Sequence, residues 1–422
     1  MARMFTAVDV EAAPGKRLLL SAGDRLTPLA RDRAKELGVE LVQAGQAGAS
    51  MQPSRPKAAP VSAQAPPKRP PAVPALRAPE PSATTLPPSG ALYRRNALGP
   101  SAVAVARAGL ARPRAGVVGA GHVGAMTALR LAESDLFDSV VLIDVVPGLA
   151  AGLALDMWHG AGLRGFSTRL EGSDDLAALK GAEYIVITAG KPRQPGMSRT
   201  DLTAVNAEIV ETVCRAIRQH APEATVVVVT NPLEEMTHLA ALHTGFPDER
   251  VVGMAGVLDS ARFCSLVGLT GRAKPQDVRA LALGSHGPEM VIPLSQAFVG
   301  DKPIESLFDA TTLRALIERT RESGSEVVKL LQKGSAYFSP AESAAMMVRA
   351  MVEGSDAVVA ACVRSRQAYG TGDTRVGLPV RLGRHGVREI VNLPLRPEEQ
   401  RSLQEAAARI AARIDELGAK RP

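Results

Sequence analysis

The 422-residue sequence predicts an α/β protein. A doubly wound parallel sheet is followed by an α+β domain, and both are preceded by a Pro-rich linker and a small N-terminal extension. Three observations carry this. From Arg114 onward, apolar β-rich runs alternate with helical stretches, as βα units of a sheet covered on both faces require. Beyond Asp259 that alternation gives way to runs of helix and runs of strand. Between Pro53 and Pro88 lie 12 of the 31 prolines, whose missing amide donors and fixed dihedrals prevent a packed helix or sheet.

The extension comes first. Lys16 to Leu20 (KRLLL) predicts a short strand, and Ala22-Gly23-Asp24 a turn. Thr27-Pro28 predicts a helix start, with Thr27 as N-cap and Pro28 in the first turn. That helix runs to about Leu37, where Gly38 stops it. Val39 to Val42 predicts a second strand. Some 40 residues bury little core alone, so residues 1–45 are expected to be a small docking module or a tail. Residues 46–112 form the linker, with a short helix expected over 101–111.

The parallel sheet follows. AGVVG (115–119) predicts a strand and Met126 to Ala132 a helix. SVVLID (139–144) is the next strand, with a helix over Leu149 to Trp158. EYIVITAG (183–190), ATVVVVTN (224–231) and RVVGMAG (250–256) complete the set. After Asp259, strands are expected in VRALALG (278–284) and EMVIPL (289–294), then helices over Thr311–Leu331 and Ala341–Val352. Further strands are expected at Val358–Val363, Leu378–Leu382 and Arg388–Leu393. A last helix carries Leu403, Ala407, Ile410, Ile414 and Leu417 on one stripe.

Composition narrows the function classes. Apolar residues make up 45% and charged residues 22%, ordinary for a globular protein. No run approaches the roughly 18 apolar residues a membrane span needs. The three cysteines are far apart, which excludes a disulfide scaffold and a Cys-rich zinc site. The net charge of +7 is unevenly placed: residues 1–112 hold 16 basic and 7 acidic residues, and the remainder is nearly neutral. With 3% aromatics, no base-stacking nucleic-acid surface is expected.

The chemistry begins at GAGHVG. Gly119 permits the turn, Gly121 lets backbone approach a pyrophosphate, and Gly124 lets helix pack on strand. The helix N-terminus then offers free amides to phosphates. Asp144 ends the second strand, where its carboxylate can accept both ribose hydroxyls and repel a 2′-phosphate. This is the Rossmann fingerprint for NAD rather than NADP, on a domain spanning residues 113–257. The catalytic domain spans residues 258–422.

GKPRQPGMSRTDL (190–202) predicts a loop whose Arg193 and Arg199 offer planar forks for carboxylates. In GMAGVLDSARF (253–263), Asp259 and Arg262 share a helix face. His286 lies in glycine-lined LGSHGPEM, where Asp259 can orient its imidazole and favour the protonated form.

Residues 114–393 resemble the lactate/malate dehydrogenase family, in particular its lactate-dehydrogenase-like malate dehydrogenases. The matching stretches are GAGHVG, ITAGKPRQPGMSRTDL, VVVTNPLEEMT, VVGMAGVLDSARF, GSHG and KGSAYFSP. The resemblance implies that Arg262 pairs with the substrate C1 carboxylate. It implies that Arg199, on a loop that closes over the substrate, polarises the carbonyl, and that His286 exchanges the proton with Asp259 holding it. Asn231 is expected to bind substrate and line the nicotinamide pocket, and Asn206 to lie near the cofactor. Arg193 stands at the position that selects the substrate: arginine in malate dehydrogenases, usually glutamine in lactate dehydrogenases.

Physics agrees with that choice. The second carboxylate of oxaloacetate needs a partner when buried, and with pyruvate Arg193 would itself be the unpaired charge. The expectation is NAD-dependent interconversion of malate and oxaloacetate by a homodimer or homotetramer. Alternatives are a lactate or other 2-hydroxyacid dehydrogenase, and a scaffold with a vestigial dehydrogenase domain.

Two departures from the family pattern are Pro288 and Glu289, where Asp and Thr are usual. They are expected to alter the His286 pKa or loop docking. Glu234 replaces a usual aspartate. No metal is expected. The extension more faintly resembles N-terminal modules of microcompartment enzymes. That implies a cytoplasmic protein, within a bacterial microcompartment if the module docks to a shell or another enzyme.

Overall fold

The computed structural model describes residues 112–191, 199–332 and 334–419, with scattered positions between 4 and 43. The chain divides into two compact units, Met1–Ser82 and Ala83–Pro422.

In the first unit, β1 (Met4–Phe5), β2 (Arg17–Leu20), β3 (Arg25–Leu26) and β4 (Glu40–Gln43) form two parallel pairs, β1 with β3 and β2 with β4. The strands expected over 16–20 and 39–42 are present. A parallel pair needs a crossover between its strands. Ala34 and Leu37 are helical within that crossover, and Gly38 ends it at φ 63°. Phe5, Val10, Leu18, Leu20, Ala34 and Val39 form one small buried cluster. Thr27, Pro28, the linker and the helix expected over 101–111 lie outside the described residues.

The second unit opens with β5 (Arg114–Val118), α1 (His122–Glu133), β6 (Ser139–Ile143), α2 (Leu149–His159) and β7 (Arg169–Ser173). There follow β8 (Tyr184–Ile187), α3 (Arg199–His220), β9 (Thr225–Val228), α4 (Leu233–Thr244), β10 (Val251–Gly253) and α5 (Gly256–Leu269). These strands pair in parallel in the order β7-β6-β5-β8-β9-β10. β6, β8, β9 and β10 are buried along their whole length, which is why their sequences are unbroken apolar runs. The winding reverses between β5 and β8, and the carboxyl ends of strands at such a switch point are where doubly wound sheets take their ligands.

Short strands come next: β11 (Val278–Arg279), β12 (Leu283–Gly284), β13 (Met290–Val291), β14 (Phe298–Val299) and β15 (Lys302–Pro303). They precede α6 (Ala310–Leu331) and α7 (Phe338–Glu353). The antiparallel β16 (Val358–Arg364), β17 (Arg375–Gly383) and β18 (Gly386–Ile390) lead to α8 (Pro397–Ala419). β16 joins β10 antiparallel at Gly253–Cys362, so both halves share one 11-stranded sheet.

The structure corrects three expectations. VRALALG is two short strands rather than one, because Ala280 to Ala282 leaves the ladder and Gly284 turns at φ 79°. EMVIPL keeps only Met290–Val291 as strand. The loop read over 190–202 ends early: α3 already begins at Arg199, with Asp201 in its first turn where a carboxylate suits the helix dipole. The β7 strand had no apolar signal. RLEGS lies at the sheet edge, where few of its side chains are buried.

Candidate active site

The glycine loop leaves β5 and enters α1. Gly119 adopts φ 104°, and a Cβ there would lie 2.6 Å from the Ala189 amide nitrogen. A Cβ on Gly124 would fall 1.8 Å from the Gly119 carbonyl oxygen, so α1 meets the turn only because no side chain intervenes. Beside Gly121 there is open space. The two tight glycines build the turn and the open one admits a ligand, which is the division of labour a pyrophosphate cradle requires.

Asp144 follows β6 and faces this loop. Its Oδ2 accepts from the Ala120 amide at 2.7 Å, and its Oδ1 from the Val146 amide at 3.0 Å. Each oxygen keeps a lone pair for a ribose hydroxyl. The residues present fit NAD.

The second cluster gathers around Asp259, on the first turn of α5 and only 1% exposed. Its Oδ2 lies 2.8 Å from His286 Nδ1, and its Oδ1 accepts from Arg262 Nη1 at 3.1 Å. A carboxylate only accepts, so the proton sits on Nδ1, and Nε2 is the ring nitrogen that can gain or lose one. Burial alone would lower the His286 pKa. The Asp259 charge and hydrogen bond, with the Glu234 charge, outweigh burial and the opposing Arg262, so the pKa is raised above 6.5.

Glu234 fixes the same histidine from behind. It is buried on α4, and its Oε1 accepts from the His286 amide at 2.5 Å. Burial pushes its carboxyl above the usual range, opposed by the His286 amide and imidazole. The longer side chain at this position therefore still reaches the histidine backbone.

Asn206, 1% exposed, is a tie between loops. Its Oδ1 accepts from the Lys191 amide at 2.8 Å, and its Nδ2 donates to the carbonyls of Lys191 (3.2 Å) and Asn231 (2.7 Å). It joins the segment after β8 to the one after β9. Asn231 precedes Pro232 through a cis peptide.

Arg199 is the first residue of α3; its side chain, and Arg193 altogether, lie outside the described residues. Sequence reasoning missed Ser285 and Arg413. Ser285 Oγ donates to Glu289 Oε2 at 2.8 Å, while Arg413 of α8 reaches Glu235 Oε1 at 3.0 Å and Glu289 Oε1 at 3.3 Å. The one available signal was an acidic pair, Glu234-Glu235, at the start of a buried helix. No cluster of candidate metal ligands occurs among the described residues.

A dinucleotide cradle and a carboxylate-held histidine on one mixed sheet define an NAD-dependent dehydrogenase. The family model for the lactate/malate dehydrogenase NAD-binding domain matches residues 114–253, and that for the lactate/malate dehydrogenase α/β C-terminal domain matches 256–420. A malate dehydrogenase of Trichormus variabilis is 42% identical over 304 residues, covering 72% of this chain and 93% of that protein. The structure of malate dehydrogenase from Salinibacter ruber superposes with a TM-score of 0.69 at 35% identity, covering 72% of this chain and 98% of that one. A lactate dehydrogenase of Cryptosporidium parvum, solved with lactic acid and NAD, gives a TM-score of 0.69 at 33% identity, covering 74% of this chain and 100% of that one. The chain belongs to the lactate/malate dehydrogenase family. Its relatives match the second unit, as the sequence motifs anticipate.

Proposed function

We propose that the chain interconverts malate and oxaloacetate with NAD as hydride carrier. The observation that carries this reading is the Asp259 carboxylate shared between His286 and Arg262. One anion orients the proton donor and holds a guanidinium beside it. Bound NAD supplies or accepts the hydride. Every other task falls to the chain. Arg262 grips the C1 carboxylate as a fork. His286 Nε2 gives its proton to the C2 oxygen in reduction and takes it back in oxidation. Asn231 hydrogen-bonds the substrate, and Arg199 polarises the carbonyl. Asp144, Gly119, Gly121, Gly124 and Asn206 form the cofactor wall. Arg193 neutralises the distal carboxylate, and this separates oxaloacetate from pyruvate.

His286→Asn tests the proton role. It is expected to bind NADH as before, while kcat falls by about 10²–10⁴. Undiminished turnover would require another proton donor.

The proposal extends to assembly and location. A homodimer or homotetramer is supported by Leu155, Trp158 and Leu163, each exposed on or just after α2. Sedimentation velocity decides the stoichiometry. The small unit at the N-terminus is proposed to dock to a microcompartment shell or a partner enzyme, the Pro-rich segment acting as tether. No described helix is long and apolar enough to cross a membrane.

A further inference from the structure

The segment carrying His286 is braced by a charge cluster that the proton transfer does not itself use. Gly284 to Met290 connects β12 to β13, and His286 sits within it. Asp259 holds its ring and Glu234 its amide. The far end of the turn is held by Glu289, whose carboxylate accepts from Ser285 Oγ on one oxygen and from Arg413 on the other. Arg413 also donates to Glu235, the immediate neighbour of Glu234 on α4. The Arg413 side chain is 20% exposed, and its partners Glu235 and Glu289 only 4% and 14%. Screening by solvent is therefore weak. α8, which carries Arg413, is itself fixed by Leu403, Ala407 and Ile410, all fully buried.

We propose that Arg413 is a positioning residue for His286, clamping α4 and the 285–289 turn together and balancing the carboxylates Glu235 and Glu289 that flank the imidazole's supports. This rests on the dehydrogenase reading above. The charged groups acting on His286 directly are Asp259 and Arg262 from α5 and Glu234 from α4; one step further out are Glu235 of α4, Glu289 of the turn and Arg413 of α8, joined to one another. Three of the four carboxylates lie on the α4 and turn side, and Arg413 is the cation joined to two of them. Removing it enlarges the negative excess and favours the imidazolium. Removing the Glu289 charge does the reverse. The clamp makes the two substitutions opposite in sign, which loss of packing alone would not.

The test uses the full chain as Arg413→Met, Arg413→Lys and Glu289→Gln. The His286 imidazole is titrated by NMR without substrate, and kcat/KM for oxaloacetate reduction is followed against pH. Arg413→Met is expected to move the His286 titration up by about 0.5 unit or more and Glu289→Gln to move it down. With the turn released, kcat should fall about tenfold or more in Arg413→Met, while the NADH dissociation constant stays within about twofold. Arg413→Lys keeps the charge and should restore the titration. Unmoved titrations in both Arg413→Met and Glu289→Gln would overturn the clamp. So would a kcat loss matched by equal loss of NADH binding. If Arg413→Met does not fold, Glu289→Gln alone decides by the sign of its shift. The NMR titration needs no substrate. Failure to reduce oxaloacetate would therefore count against the dehydrogenase reading without touching the clamp.

Discussion

Asp259 is the pivot of the site, because its two oxygens serve two different cations. A buried carboxylate is costly unless paired, and here His286 and Arg262 both pair with it. Asp259→Asn removes the charge while keeping the shape. The His286 pKa should fall, because burial would then act with little opposition. Reduction needs the imidazolium, so the wild-type rate should hold above pH 6.5 and decline as pH rises through the raised pKa. Malate oxidation needs neutral imidazole and should rise over that same interval. In Asp259→Asn both limbs should move to lower pH, with kcat reduced by about 10²-fold or more; paired pH profiles of the two directions check this. The sign for stability follows as well. A histidine with a raised folded pKa contributes stability that is full below pH 6.5 and lost as pH rises through the folded value. The variant should lose that dependence in denaturant titrations across the same range.

Much of this was legible in the residues. The three-residue spacing of Asp259 and Arg262 places them on one helical face, and its glycine-lined setting separates His286 from the other six of the seven histidines. The Arg413–Glu289 contact was not legible, since 124 residues separate the partners. Nothing in a sequence marks one of the three arginines on this amphipathic helix as inward-facing. Nor did the sequence show that both Asp144 oxygens accept backbone amides, because that depends on how two loops meet at the carboxyl ends of β5 and β6.

At the scale of elements, the glycine turn offers a sharp test. A Cβ on Gly124 cannot coexist with the Gly119 carbonyl, so Gly124→Ala must push α1 off β5. A destabilisation of about 1–3 kcal/mol is expected, with weakened NADH binding. Chemical denaturation and fluorescence titration read the two effects. A variant of full stability and affinity would mean that the helix shifts at no cost. Strands that are buried on both faces announced themselves as apolar runs, whereas the edge strand β7 did not. Helix starts proved similarly uneven. Asp309 caps α6 by accepting from the Thr312 amide, so the helix starts at Ala310, one residue before its expected beginning. α3 begins inside what its prolines and glycines suggested was loop.

For the whole molecule, the composition break is the strongest sequence signal. The proline-dense stretch and the basic excess both lie before Arg114, and both family matches begin at or after it. Deleting residues 1–90 should leave kcat and KM within about twofold, since the motifs that bind NAD and substrate lie downstream. The same deletion should change where a fluorescently tagged chain resides in the cell. An unchanged location would end the docking proposal and leave the enzyme assignment intact.

The most direct test concerns the distal charge. kcat/KM should be measured for oxaloacetate and for pyruvate with saturating NADH, in the unmodified chain and in Arg193→Gln. The unmodified chain should favour oxaloacetate by about 10³ or more, because the role proposed for Arg193 leaves its guanidinium unpaired with pyruvate. In the variant that ratio should collapse, with oxaloacetate losing most. A chain that reduces pyruvate as well as oxaloacetate, or a ratio untouched by the substitution, would remove the basis for assigning the four-carbon diacid.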